Sequence, residues 1–303
     1  MSPPDENRYQ TGKEQLMEFL TRLKDLRRQS GLSQEQLANR IGVSRQAISK
    51  WESGTGRPEI ENLVALADVF AVSVDALLGV AATSNGDSGE YRYESVTNYD
   101  IGQTKHFDID CGSIYSCMIR GYDGEQLRVR VVSNTVAEVA RHFKVSIDDR
   151  PKRLDVTVNR GAGISETLAK DDVSVILWVP QRYITTMECA AKTFEAHVRG
   201  LACDGVELDV RTQRLTLDGV HAHVEIDCNL DMDITCVTLD GRVDVNQLSA
   251  TSHITVPRDA PVAVQTRGLR TRTIIGPGVR VDEDSKNIIE LNGVGSELII
   301  EGR

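Results

Sequence analysis

The sequence predicts a multidomain α and β protein, with an N-terminal domain of five helices and a C-terminal all-β domain. Apolar residues recur at helical spacing up to about residue 80, the next stretch is small and polar, and the apolar residues that follow it alternate at every second position. The predicted domains are therefore residues 1–80 and residues 95–303, joined by a linker at 81–94.

The composition is that of an ordinary globular chain, with 40% hydrophobic and 26% charged residues. No apolar run approaches the ~18 residues that a membrane span needs. The N-terminus has neither the basic nor the apolar segment of a signal peptide. We therefore expect a cytoplasmic protein with no membrane partner. Its six cysteines should be reduced thiols, because a chain of this size without a signal peptide is expected in a reducing compartment. The lack of any C-x-x-C pair gives no support to a zinc finger or a thioredoxin-like motif.

The helical half contains five apolar stripes, separated by capping and turn residues. Ser33, with Gln36 three residues later, predicts a capping box, and Gly42 predicts a turn with positive φ. Ser44 caps the third helix and Pro58 marks the first turn of the fourth. The stripes are Leu16, Phe19, Leu20, Leu23 and Leu26; Leu37, Ala38 and Ile41; Ala47, Ile48 and Trp51; Ile60, Leu63, Val64, Leu66, Ala67 and Phe70; and Val74, Leu77 and Leu78.

Charge is distributed unevenly along the chain. The net charge is −10, yet residues 11–57 carry nine basic and five acidic residues, whereas residues 81–303 carry 25 basic and 34 acidic ones. Because salt screens the field beyond ~10 Å, a local basic face can still bind phosphate. The acidic half is expected to lie away from any nucleic acid.

The third helix presents a polar face. If Ala47, Ile48 and Trp51 face inward, the outward residues are Arg45, Gln46, Ser49 and Lys50. Arginine pairs with guanine, glutamine with adenine, and lysine with guanine or phosphate in the major groove of DNA. These four residues are the predicted base contacts.

Three motifs indicate a family. They are Leu32-Ser-Gln-Glu-Gln-Leu-Ala38, Gly42-Val-Ser-Arg-Gln-Ala-Ile-Ser-Lys-Trp-Glu-Ser-Gly54 and Val72-Ser-Val-Asp-Ala-Leu-Leu-Gly79. Over residues 13–80 the chain resembles the Xre family of helix-turn-helix transcriptional regulators, relatives of the phage repressors. The resemblance implies that the first half is a helix-turn-helix domain and that Arg45, Gln46 and Lys50 read bases. It also implies an ion pair between Arg27 and Glu52 that orients the third helix.

Residues flanking the third helix are expected to bind the DNA backbone. Ser33 and Gln34 lie at the start of the second helix, where side chains and backbone N–H groups can donate to a phosphate. Ser44, Ser53 and Arg57 are assigned the same role. The predicted function is a regulator, in particular a repressor, that binds double-stranded DNA as a homodimer on a palindromic operator.

The pattern of the second half predicts short strands bounded by Gly, Asp or Asn, with one short helix over 136–143. Related segments recur at Val206 and Val224, and again at Thr216 and Thr238. A period of about 20 residues favours a β-solenoid, with a two-sheet β-sandwich as the alternative.

Four segments of this half resemble the putative-adhesin β-solenoid family. They are Leu154-Asp-Val-Thr-Val158, Trp178-Val-Pro180, Thr255-Val-Pro257 and residues 287–300. That family carries no catalytic residues over to this chain.

No residue is assigned to catalysis, metal binding or a cofactor, and the protein is not expected to be an enzyme. His221 and His223 share a strand face with Glu225 and Asp227 and could in principle bind a metal, but a solvated face is the favoured interpretation. Cys228 and Cys236 fall in the apolar register and are predicted to be core residues.

Three roles stay open for the β-rich half: a dimerisation or protein-interaction module, a sensor of an unknown small molecule, and an unrecognised enzyme. The first would show an exposed apolar patch or an open strand edge. The second would show a concave apolar pocket. The third would need a cluster of perturbed titratable groups in a cleft.

Overall fold

The computed structural model describes residues 19–20, 22–24, 26–28, 32–70, 77 and 91–303. The chain divides into two units, Met1–Glu90 and Tyr91–Arg303. The first is small and helical, and the second is large and all-β, as predicted. We call them the N-terminal unit and the β unit.

The N-terminal unit contains three fully described helices: α1 (Gln34–Ile41), α2 (Arg45–Glu52) and α3 (Ile60–Phe70). The described residues among 19–28 are also helical, in agreement with the predicted first helix. Apart from the buried Leu77, the predicted fifth helix lies outside the described residues.

The predicted starts of α1 and α2 are each capped by a serine. The Ser33 hydroxyl accepts from the backbone N–H of Gln36, whose own side chain accepts from the Ser33 N–H, so the predicted capping box is present. The Ser44 hydroxyl caps α2 by accepting from the Ala47 N–H. Between the helices, Gly42 has φ +72°, the left-handed conformation predicted for the turn.

One hydrophobic core joins these helices. Its buried members are Phe19, Leu23, Leu32, Leu37, Ala38, Ile48, Trp51, Leu66, Ala67, Phe70 and Leu77. Two residues of the predicted fourth stripe, Ile60 and Val64, are exposed and do not belong to this core. They lie one turn apart on the face of α3 that points away from the core, so an apolar pattern in the sequence did not mean burial at these positions.

The β unit has twenty strands. In chain order they are β1 (Tyr93–Asp100), β2 (Lys105–Ser113), β3 (Ser116–Tyr122), β4 (Gln126–Ser133), β5 (Phe143–Asp149), β6 (Arg153–Arg160), β7 (Ser174–Pro180), β8 (Ile184–Lys192), β9 (Glu195–Arg199), β10 (Ala202–Arg211), β11 (Arg214–Asp218), β12 (His221–Cys228), β13 (Asp233–Cys236), β14 (Arg242–Leu248), β15 (Thr251–Val256), β16 (Pro261–Leu269), β17 (Arg272–Ile275), β18 (Arg280–Val281), β19 (Ile288–Val294) and β20 (Glu297–Gly302). β1 begins inside the stretch assigned to the linker 81–94.

These strands form two ten-stranded sheets. One has the order β1-β4-β7-β3-β9-β11-β13-β15-β20-β17, and the other has the order β18-β16-β19-β14-β12-β10-β8-β2-β6-β5. From β8 to β15 the chain alternates between the sheets, one strand in each. Neighbouring strands are parallel except in the pairs β1–β4, β4–β7 and β5–β6.

Parallel neighbours in the regular part of the unit are offset by one repeat, about 20 residues along the chain. Val206 pairs with Val224, the recurrence noted in the sequence, and Leu215 pairs with Ile234. The recurrence at Thr216 and Thr238 is not a strand register, because Thr216 pairs with Thr235. Similar Asp-Gly turns, rather than aligned strands, produced that second similarity.

Inward side chains of both sheets form one apolar core, and Cys228 and Cys236 are buried in it as predicted. Two helices border the sheets where the sequence predicted one: α4 (Val139–His142), followed directly by β5, and α5 (Glu166–Asp172). α5 is short and strongly charged, so it carries little apolar periodicity to reveal it.

Candidate nucleic-acid interface

Helix α2 is anchored to the core by one side. Ile48 is fully buried and Trp51 nearly so, while Ala47 is partly buried. The first turn is held by the Ser44 cap. Because one side is packed and the start is capped, the orientation of the opposite face is set by the N-terminal unit.

That opposite face carries the four predicted base contacts. Arg45, Gln46, Ser49 and Lys50 are all exposed on α2. Arg45 and Ser49, and likewise Gln46 and Lys50, are separated by one helical turn, so their side chains project from one face. The face therefore presents a guanidinium, an amide, a hydroxyl and an ammonium group to solvent, a set of donors able to reach base edges.

The residues assigned to the DNA backbone lie around this face. Ser33, Ser44, Ser53 and Arg57 are exposed, and Gln34 is partly buried. In both capping serines the hydroxyl oxygen accepts a hydrogen bond from a backbone N–H of its helix. The hydroxyl hydrogen can still be donated to a phosphate. The Ser53 hydroxyl lies 3.2 Å from the Lys50 carbonyl oxygen and 2.9 Å from the Thr55 hydroxyl.

Arg27 and Glu52 form a two-pronged ion pair. Arg27 Nε donates to Glu52 Oε1 at 2.5 Å and Nη2 donates to Oε2 at 3.0 Å. The side chains are only 12% and 6% exposed, and the hydrogen bond to Glu52 raises the pKa of Arg27. Arg27 also donates to the Leu32 carbonyl oxygen at 2.9 Å, so it ties the end of α2 to the segment that precedes α1.

Gln34 has a partner that the sequence did not suggest. Its Nε2 donates to Glu52 Oε2 at 2.8 Å. The amide that was assigned to phosphate therefore contacts the ion pair in this structure. A contact between two different helices has no local periodicity, so no sequence signal pointed to it.

The two histidines of β12 contact different carboxylates. His221 Nδ1 lies 2.9 Å from Asp240, and His223 Nε2 lies 2.8 Å from Asp244. Glu225 lies close to His223 and Asp244, which makes a three-residue cluster with metal-ligand chemistry. The Arg242 guanidinium, however, contacts Asp244 at 2.8 Å and neutralises the carboxylate that a cation would need.

Comparison with known proteins places the helical residues in a family. A helix-turn-helix family model (HTH_3) matches residues 23–77. The chain is 52% identical over 62 residues to the HTH-type transcriptional activator BcrR of Enterococcus faecalis, covering 20% of this chain and 30% of that protein. It is 35% identical over 89 residues to the cryptic phage CTXphi transcriptional repressor RstR of Vibrio cholerae, covering 29% of this chain and 80% of RstR.

The chain thus belongs to the Xre-type helix-turn-helix family of transcriptional regulators. It spans under a third of BcrR and four fifths of RstR, and in each case the match occupies less than a third of this chain. The matched residues include α1, the Gly42 turn and α2.

Among solved structures, a putative cell adhesion protein from Clostridium sporogenes is 10% identical and covers 70% of this chain and all of its own, with a TM-score of 0.35. A putative adhesin from Bacteroides fragilis is also 10% identical, covers 69% of this chain and 97% of its own, and has a TM-score of 0.35. None of the helices that the structure describes has the length and apolar character to span a bilayer.

Proposed function

We propose that the protein is a transcriptional repressor that binds a specific double-stranded DNA operator through α2. The observation that carries this proposal is the exposed face of Arg45, Gln46, Ser49 and Lys50 on a helix whose other side is packed and capped. RstR, which this chain matches over 80% of its length, is named a repressor. It supports repression more than BcrR, matched over 30% of its length, supports activation. Catalysis has no part in the proposal.

In this proposal α2 enters the major groove and its flanks bind the phosphates. The four exposed residues of α2 contact bases, while Ser33, Gln34, Ser44, Ser53 and Arg57 contact the backbone. Gln34 would have to leave Glu52 or donate with its backbone N–H. The ion pair of Arg27 and Glu52 supports α2 without touching DNA.

A test of base readout starts from duplexes selected by the full-length protein out of a random pool. Arg45→Ala should weaken binding to the selected operator by ~1–3 kcal/mol and relax the preference at one base pair. Arg57→Ala should weaken all duplexes alike, because a phosphate contact carries no sequence information. Arg141→Ala, an exposed arginine of the β unit, serves as the control and should change neither.

If the double variant Arg45→Ala and Gln46→Ala kept the wild-type base preference, α2 would not be the reading element. If Arg57→Ala bound DNA as tightly as the wild type, only the assignment of Arg57 to a DNA phosphate would be wrong.

For the β unit we propose a β-solenoid. The parallel pairing of neighbours, each offset by about 20 residues, supports stacked coils, because the strands of a β-sandwich are joined mainly as antiparallel pairs. The antiparallel pairs lie at the end of the sheets that holds β1 and β5.

We further propose that the β unit makes the protein a homodimer. Leu248, Val294 and Leu269 end three adjacent parallel strands in register, and their side chains are 53%, 48% and 67% exposed. We call these three residues the apolar ladder. Aligned exposed apolar side chains are what the dimerisation alternative predicted.

A second copy of the chain is the occupant that fits this ladder. One helix-turn-helix unit reads only a few base pairs, and a two-fold dimer on a palindrome extends the site to half-sites ~34 Å apart. In a two-fold interface the same patch meets itself, so an uncharged apolar ladder is self-complementary. Small-molecule sensing has less support: the depression lined by Val220, Ala222 and Leu239 has a cavity volume of about 10 Å³, roughly the room for one water molecule.

A further inference from the structure

Three cysteine side chains meet inside the β unit. Cys111 lies on β2, Cys117 on β3 and Cys189 on β8, so the two sheets both contribute. All three are at most 2% exposed. Their sulfur atoms lie within 4.8 Å of one another, and the Cys111 and Cys117 sulfurs are 3.7 Å apart. We call these residues the cysteine trio.

Strand alternation places Cys111 in the core, because every second residue of β2 from Phe107 to Cys111 is buried. A β-bulge follows directly: β2 pairs with β8 in one register from Phe107 to Asp110 and in a shifted register from Gly112. Gly112 has φ +64°, and its N–H donates to the Asp110 carboxylate at 2.8 Å. Cys111 is thus the last inward residue of β2 before the bulge, and it lies beside Cys117.

The separation of the sulfur atoms suits a single metal ion. An ion bound to three thiolates in one plane at ~2.3 Å requires sulfur separations of about 4.0 Å. The separations of 3.7 Å to at most 4.8 Å in the trio bracket that value. Small rotations of the side chains would bring all three sulfurs to bonding distance.

The donor set selects the kind of ion. Among the residues that the structure describes, the cluster has three sulfur ligands and includes no carboxylate or imidazole. Sulfur-only sites favour soft ions such as Cu(I), whereas structural Zn²⁺ takes four ligands and Mg²⁺ or Ca²⁺ takes oxygen. We propose that Cys111, Cys117 and Cys189 bind one Cu(I) ion in three-coordinate thiolate geometry. Copper keeps its charge of +1, and each cysteine that binds as a thiolate releases one proton to solvent.

The chain supplies its own control for a cysteine that is only a packing residue. Cys236 on β13 is as buried as the trio, and burial raises the pKa of its thiol to about 12. It is not part of the three-sulfur cluster. Removing Cys236 costs the core a buried sulfur atom but leaves the proposed ligands intact.

The experiment titrates reduced full-length protein with Cu(I) buffered by a competing chelator, without oxygen, and in parallel with Zn²⁺. We expect one Cu(I) per chain, ultraviolet absorption from thiolate-to-copper charge transfer, and no matching retention of Zn²⁺. Cys189→Ala and Cys117→Ala should each lower the Cu(I) affinity at least about 10-fold, the lower limit for loss of even a supporting residue. Cys236→Ala should bind as the wild type does.

A second readout needs no variant. Because the ligands come from both sheets, Cu(I) should raise the midpoint of thermal unfolding of the wild-type β unit. The proposal is overturned if the wild type yields all Cu(I) to the chelator and melts unchanged, or if Cys236→Ala loses as much affinity as Cys189→Ala. Should a trio variant fail to fold, the wild-type competition and melting data still decide.

Discussion

At the scale of single residues, Glu52 connects stability to the proposed function. Its carboxylate accepts from Arg27 and Gln34, at the end of the helix that presents the candidate base contacts. Loss of this carboxylate would leave the Arg27 guanidinium largely buried without its counter-charge. Such one-sided changes cost far more than the pair itself contributes.

We therefore expect Glu52→Ala to lower the free energy of unfolding of the N-terminal unit by ~2–4 kcal/mol. Glu61→Ala, at an exposed position on α3, is the control and should change it little. Trp51 and Trp178 are the two tryptophans of the chain, so urea unfolding in a Trp178→Phe background reports Trp51 alone. Equal stability of both glutamate variants would show that the ion pair does not hold α2.

Among the strands and turns, the close approach of two backbones limits which residues the corners of the β unit can accept. Gly121 lies near the end of β3, and a Cβ built there would collide with the Gly200 carbonyl oxygen. Gly102, in the connection between β1 and β2, has nothing within 4 Å of such an atom. The first glycine is needed for packing and the second is not.

Gly121→Ala should accordingly lower the free energy of unfolding of the β unit by about 3 kcal/mol, the upper range for overpacking, because backbone cannot move aside as a side chain can. Gly102→Ala should leave it within ~0.5 kcal/mol. Trp178 fluorescence in a Trp51→Phe background measures both. A Gly121→Ala protein as stable as the wild type would mean that neighbouring strands separate easily at this corner.

At the scale of the whole molecule, the apolar ladder and α2 should act together. If two copies associate through Leu248, Val294 and Leu269, each bound head raises the local concentration of the other into the millimolar range. Operator affinity then depends on a surface that does not touch DNA. The net acidity of residues 81–303 disfavours a direct DNA contact by the β unit.

The double variant Leu248→Glu and Leu269→Glu should be monomeric by light scattering at micromolar concentration, where we expect the wild type to be a dimer. Its operator affinity should fall at least about 10-fold. Val237→Glu adds a charge at another exposed apolar residue and should change neither property. A monomeric wild type, or a double variant that stays dimeric, would contradict the proposed interface.

The local features of the N-terminal unit could be predicted from the residues alone. The capping box at Ser33, the left-handed Gly42 and the burial of Ile48 and Trp51 follow from short-range chemistry, in which the partners lie within one helical turn or on one helical stripe. The alternation of the β unit was equally visible. The sequence repeats predicted the strand register only in part, because Val206 and Val224 do pair whereas Thr216 and Thr238 do not.

The contacts between distant segments became visible only in the folded molecule. Gln34 reaches Glu52 on another helix, and the apolar ladder joins the ends of three strands that are far apart along the chain. Cys189 meets Cys111 because β2 and β8 are neighbours in one sheet, although β3 to β7 lie between them in the chain. Periodicity encodes which face a side chain takes. It does not encode which strand becomes its neighbour, since that depends on the order in which the sheets are assembled.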